Sequence, residues 1–115
     1  MDEIVLYHNP RCSKSRAALA LLRERGVEPR VVEYLETPPS RAELEALRRK
    51  LELEPASWLR HGESAYEAAG LSEQSSEAEL LDAMAAHPIL IERPIAVRGE
   101  RARVGRPPER VLELL

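Results

Sequence analysis

The sequence predicts an α/β domain on a small mixed sheet, in the order βαβ, helical insertion, ββα. Three observations carry that prediction. A continuous apolar run, Ile4-Val5-Leu6-Tyr7, is followed by a helical stretch and a second strand-like run ending at Tyr34, the pattern of a parallel βαβ unit. The middle of the chain shows helical periodicity only. Near the C-terminus, Ile95-Ala96-Val97 and Arg101-Ala102-Arg103-Val104 flank the turn signal Arg98-Gly99-Glu100, as in an antiparallel hairpin.

Each element has a local reason. His8-Asn9-Pro10 stops the first strand, because the residue before a proline is pushed into extended geometry. A helix is expected from Ser13 to about Arg25, capped by Ser13 or a neighbour, with Ala17, Ala18, Leu21 and Leu22 as its apolar stripe and Gly26 as its stop. Arg30 to Tyr34 reads as the second strand. After Thr37-Pro38-Pro39, Ser40 precedes Glu43 by three residues, a capping box that opens a helix with Leu44, Leu47 and Leu51 on one face. From Pro55 to His87 the pattern is helical in pieces, broken at Gly62 and Gly70. Glu77 to Ala86 is the firmest piece, apolar at Leu80, Leu81 and Met84 and ended by Pro88. Pro107 to Leu115 reads as a closing helix with Pro107 near its first turn. Parallel and antiparallel strands in one small sheet flanked by helices make a thioredoxin-like fold. It is expected as a single domain over residues 1–115, with the helical insertion at about 40–88.

Composition narrows the function classes. The chain has 115 residues, 43% hydrophobic and 32% charged, enough for one core. Aromatics are 3% and Phe is absent, so that core must be aliphatic. A net charge of −3 argues against a nucleic-acid partner. No apolar run approaches the roughly 20 residues of a membrane span. Met1-Asp2-Glu3 is acidic and leads straight into a strand, unlike a secretory leader, so a cytoplasmic location is expected. A single cysteine allows neither an internal disulfide nor a four-thiolate metal site, and His8, His61 and His87 are too dispersed for a zinc motif, so no metal is expected. Of 17 basic residues only Lys14 and Lys50 are lysines. Arginine's planar fork suits oxyanions, although most arginines are expected on solvated faces beside glutamates. Trp58 reads as an interior anchor, and Glu73 to Glu79 as a solvated helix start.

Cys12 is the candidate nucleophile. A lone cysteine is commonly a small buried hydrophobe, but Pro10, Arg11, Ser13 and Lys14 are not core neighbours. It stands before a helix, where unpaired amides and the positive end of the dipole favour a thiolate. A thiol with a pKa of about 8.5 is about 3% ionised at pH 7, and about three-quarters ionised once lowered by about two units. Arg11, Lys14 or an incoming arginine would add to that effect, and Ser13 and Ser15 offer hydroxyls. The same amides bind anions. Thiolate and anion site together suggest attack on the central atom of a tetrahedral oxyanion. With no second cysteine, an external thiol must resolve the adduct.

Tyr7-His8-Asn9-Pro10-Arg11-Cys12-Ser13-Lys14-Ser15-Arg16 resembles the active-site loop of the glutaredoxin-coupled arsenate reductase (ArsC) family. Tyr34-Leu35-Glu36-Thr37-Pro38-Pro39, Pro88-Ile89-Leu90-Ile91-Glu92-Arg93-Pro94-Ile95 and Gly105-Arg106-Pro107-Pro108-Glu109 resemble its further markers, in the same order along the chain. The whole is most similar to the short, single-cysteine subgroup. The resemblance implies that Cys12 forms a thiol–arsenate adduct and that Arg60, Arg93 and Arg106 bind the oxyanion. It also implies that His8 and Ser15 tune the thiolate and that Pro94 is the cis-proline of the fold. It further implies arsenic detoxification with glutathione as co-substrate, glutaredoxin as partner and no bound cofactor. Longer relatives carry further cysteines near the C-terminus, where this chain has Gly105. Two other readings stay open: a thiol-based regulator docking on the RNA polymerase α-subunit, which usually carries Cys-x-x-Cys where this chain has Ser15, and a glutathione-dependent thiol oxidoreductase without an oxyanion substrate.

Overall fold

A computed structural model describes residues 3–115; Met1 and Asp2, in the acidic start read above, lie outside the described residues. The chain divides into two compact units, Met1–Thr37 with Arg93–Leu115, and Pro38–Glu92.

The first unit is a four-stranded mixed sheet in the order β2-β1-β3-β4. Its strands are β1 (Ile4–Tyr7), β2 (Arg30–Val32), β3 (Ile95–Arg98) and β4 (Arg101–Val104). β1 runs parallel to β2, with Tyr7 opposite Val32, and antiparallel to β3, with Tyr7 opposite Ile95. β3 and β4 form the expected hairpin, Arg98 facing Arg101, and Gly99 takes the positive φ of 59° that its turn requires. The second strand ends two residues before Tyr34, which is fully buried in the following turn. Helix α1 (Ser13–Glu24) packs Ala18 and Leu22 against Ile4, Leu6, Ala96, Val111 and Leu114, an aliphatic core without aromatic rings.

The N-cap of α1 is Cys12, in keeping with a cap at Ser13 or a neighbour, and Ser13 is exposed. One detail of α1 corrects the sequence reading. Its inward face is Ser15, Ala18 and Leu22 with Leu19 half-buried, whereas Ala17 is exposed and Leu21 only half-buried. Positions 15, 18, 19 and 22 keep the helical spacing, but a polar residue starts the series, so hydrophobicity alone sets the stripe one position out. The closing segment is likewise altered: it is a 3₁₀ helix over Pro108–Leu114, with Pro107 outside it as the cap.

In the second unit, α2 (Arg41–Leu51) buries Leu44, Leu47 and Leu51 and starts on the expected capping box. Helix α4 (Glu77–Ala86) buries Leu80, Leu81 and Met84 and starts on a second one, Ser76 with Glu79. That Ser-x-x-Glu stands inside the acidic run, where charge masks the cap. Arg41 bridges Glu45 and Asp82, and Arg48 reaches Glu45 and Glu77, so both arginines join α2 to α4. Trp58 ends a 3₁₀ turn (Pro55–Trp58), is fully buried, and donates its indole N–H to the Leu53 carbonyl at 3.4 Å. A short helix α3 (Ser64–Ala68) lies between these elements in sequence. No helix among the described residues is long and apolar enough to cross a membrane.

Candidate active site

The loop from His8 to Cys12 is shaped by its own polar groups. Asn9 accepts the Arg11 N–H on its side-chain oxygen at 3.0 Å, an Asx turn, and its carbonyl accepts the Cys12 N–H at 3.0 Å. The Arg16 guanidinium reaches back to the Pro10 carbonyl at 3.0 Å. Strand β2 anchors the other end, since the His8 N–H bonds the Val32 carbonyl at 2.9 Å. The chain therefore enters α1 in one set shape, with Cys12 extended at φ −94° and ψ 124° in the cap position.

Cys12 is half-buried and free. Its thiol makes no full cap hydrogen bond, and no acidic residue stands in the first turn. Burial pushes the thiol pKa up, but the Ser15 and Lys14 amides and the Arg93 guanidinium, which both attracts and hydrogen-bonds the sulfur, outweigh it, so the net direction is down. The expected depression is present, and it comes from the helix-start amides and an incoming arginine, Arg93, while Lys14 acts through its backbone N–H.

Ser15 is fully buried. Its hydroxyl accepts the Asn9 N–H at 3.0 Å and lies 2.6 Å from His8 Nδ1. That contact joins the buried imidazole to the turn whose amides face the sulfur. Burial lowers the His8 pKa, Glu33 opposes this, and Arg23 and Arg16 reinforce it. His8 is therefore held toward its neutral form. It lines a cleft of about 200 Å³ with Asn9, Pro10, Arg11, Glu33, Leu35 and Glu36.

Arg93 precedes Pro94, and their peptide bond is cis, as the resemblance implies. Pro94 is packed by Gly105, whose N–H bonds the Pro94 carbonyl at 2.8 Å. A Cβ at position 105 would lie 2.8 Å from Pro94 Cγ and 3.0 Å from Val111 Cγ1, so only glycine allows this approach. Arg106 follows directly, in a second cis bond to Pro107. The structure thus brings Cys12 and Arg93 into contact and sets Arg106 beside the segment that packs on Pro94.

Arg60 lies in the second unit, where its guanidinium pairs with Glu63 and donates to the Ile89 carbonyl at 3.3 Å. Ser13, proposed as a neighbouring hydroxyl donor, has no described contact with the sulfur. His61 and His87 are exposed, the former against the Tyr66 ring. Sequence reasoning took Asn9 only as part of a strand-ending turn and did not single out Arg16 or Glu33, or the pairing of Glu63 with Arg60. Only Asn9 carries a local signal, since Asn-Pro-Arg is a turn-forming string; the others act through long-range or side-chain geometry.

Comparison with known proteins bears on family and fold. The model of the ArsC family matches residues 7–114. An arsenate reductase of Neisseria meningitidis serogroup A is 47% identical over 100% of both chains. The uncharacterised protein YfgD of Escherichia coli K12 is 50% identical over 98% of this chain and 97% of its own. A solved structure of arsenate reductase from Vibrio cholerae superposes with a TM-score of 0.94 at 51% identity, covering 99% of this chain and 98% of that one.

Proposed function

The chain belongs to the ArsC family, and from that premise we propose that it reduces arsenate to arsenite through Cys12, with glutathione and glutaredoxin as electron donors. The observation that carries the reading is the contact of Cys12 with Arg93 at an uncapped helix start, which favours the thiolate and puts a guanidinium able to bind an oxyanion beside it.

The Cys12 thiolate attacks arsenic, forming an S–As bond while one oxygen, protonated by solvent, leaves as water. Arginine forks pair with the remaining oxygens. Arg93 does so beside the sulfur, Arg106 from the segment packed on Pro94, and Arg60 enters on the family resemblance. A glutathione thiol replaces a second oxygen, again released as water. A glutaredoxin thiolate then attacks the glutathione sulfur: an S–S bond forms, the As–S bond breaks, and its electron pair stays on arsenic, reducing As(V) to As(III). Water cleaves the Cys12–As bond and returns the thiol with arsenite. His8 and Ser15 keep the loop and its amides in register. A reducing cytoplasm suits this chemistry.

Ser15 stands buried where the regulator reading would need its second cysteine, so that reading gains no support. NADPH consumption coupled through glutathione reductase, glutathione and glutaredoxin, followed with and without arsenate, tests the proposal. An arsenate-dependent rate abolished in Cys12→Ser is expected. A rate that ignores arsenate would favour the glutathione-dependent oxidoreductase instead.

A further inference from the structure

Arg60 is already holding an anion. Its Nη2 lies 2.5 Å from Glu63 Oε1, and this pair is the least exposed of the described ion pairs, at 21% and 26%. The turn between the two residues does not need it. Glu63 N–H bonds the Arg60 carbonyl at 3.4 Å, Tyr66 N–H bonds the Glu63 carbonyl at 3.0 Å, and the Glu63 side chain makes no cap bond to α3. Arg60 also keeps an anchor of its own, donating Nη1 to the Ile89 carbonyl, while its backbone N–H bonds Leu90 at 2.7 Å. The carboxylate is thus spare for shaping the chain, and it neutralises the one guanidinium it touches.

We infer that Glu63 is a positioning residue that sets oxyanion affinity: its carboxylate holds Arg60 Nη2 when substrate is absent and weakens that arginine for every tetrahedral oxyanion alike. This rests on the reading of Arg60 as an oxyanion ligand. A carboxylate on a guanidinium presents the same two-oxygen edge as arsenate or phosphate, so an incoming oxyanion must displace it or bind next to a like charge. Phosphate pays this penalty as arsenate does. Glu63 therefore keeps the arginine from being filled by inert anions, and discrimination is left to the step at sulfur. Because Ile89 still holds Nη1, release of Glu63 leaves the guanidinium in place.

The test uses the full chain as wild type, Glu63→Gln, Glu63→Asp and Arg60→Lys. Arsenate KM and kcat are measured in the coupled assay, with inorganic phosphate as inhibitor. Arsenate binding is measured separately by calorimetry with each change placed on Cys12→Ser, and folding by thermal melts. Glu63→Gln keeps the shape and removes the charge. It should lower the arsenate KM, the phosphate inhibition constant and the arsenate Kd together by about five- to tenfold, with kcat within about twofold, as removal of a like charge near a bound anion predicts. Glu63→Asp should show a smaller change in the same direction, and it carries the test should the Gln variant fail to fold. A KM and Kd unchanged or raised in the Glu63 variants, with arsenate turnover intact, would overturn the inference and leave the proposed function standing. No arsenate binding and no arsenate-dependent turnover in any form would overturn the proposed function, and this inference with it.

Discussion

The first turn of α1 and the first turns of α2 and α4 treat the same physical problem in opposite ways. Every helix start exposes amides without intrahelical partners. At α2 and α4 the chain closes that end. Ser40 and Ser76 accept the N–H groups of Glu43 and Glu79 at 3.1 Å, and those glutamates accept the serine N–H groups at 2.9 and 2.8 Å. At α1 the cap is Cys12, the first turn holds no acid, and the amides of Lys14 and Ser15 act on a sulfur. A serine cap converts the exposed amides into stability. A cysteine in the same place leaves them available to stabilise negative charge on its own sulfur.

Cys12→Ser breaks the comparison most sharply, because its two effects have opposite signs. Arsenate-dependent kcat should fall by at least about 10³-fold, since the covalent intermediate is lost. Stability should rise by about 0.5–1 kcal/mol, since serine is a good N-cap. Parallel activity assays and denaturant melts check this, and a destabilised Ser variant would show that α1 is not an open start.

Arg93→Lys keeps a charge near the sulfur but removes the fork. A charge-assisted hydrogen bond is worth about 1.5–3 kcal/mol, so arsenate-dependent kcat/KM should fall roughly ten- to 150-fold. The pH midpoint of Cys12 alkylation should move up toward that of an ordinary thiol. Arg49, exposed on α2, is the control, and its lysine variant should stay within about twofold. Equal losses at both positions would remove the basis for an oxyanion site.

Ser40→Ala and Ser76→Ala test the closed starts. Each should cost about 1 kcal/mol of stability and leave kcat within about twofold at a temperature where the protein is folded. A large kcat loss with unchanged KM would mean that these caps serve the reaction.

The smallest effect is in pH. The Cys12 pKa is depressed in the folded state, so its contribution to stability is fully present above the ordinary thiol value and is lost as pH falls through the folded value. His8 is depressed as well. Its contribution is present above the ordinary 6.5 and is lost on further acidification through its folded value. Denaturant melts across pH should show two shallow losses on acidification, and Cys12→Ser should remove only the upper one. A Ser variant that keeps the upper loss would detach it from the thiol.

Legibility followed the range of the interactions involved. The Ser40 box, the Leu44, Leu47 and Leu51 face, the Gly99 hairpin and the cysteine before α1 all depend on residues within a turn or two, and each was readable as a local string. The buried face of α1 was not, because Ser15 points inward to serve His8 and so looks polar in any hydrophobic pattern. An incoming arginine was among the cations expected to lower the Cys12 pKa, but local spacing did not say which one. Arg11 and Lys14 are neighbours in sequence, yet Arg93 is the guanidinium that the sheet register between β1 and β3 carries to the loop.

By itself, the sequence determined the order of elements, the mixed hairpin-and-crossover sheet and the single thiol, which allows no internal disulfide. These follow from backbone geometry and residue chemistry acting over short spans. The tertiary structure alone decided which arginine meets the sulfur, that Gly105 must be bare to pack on Pro94, and that Arg60 is held by Glu63. Fifteen guanidiniums of identical chemistry differ only in what the fold sets beside them, and that is a property of distance in space rather than along the chain.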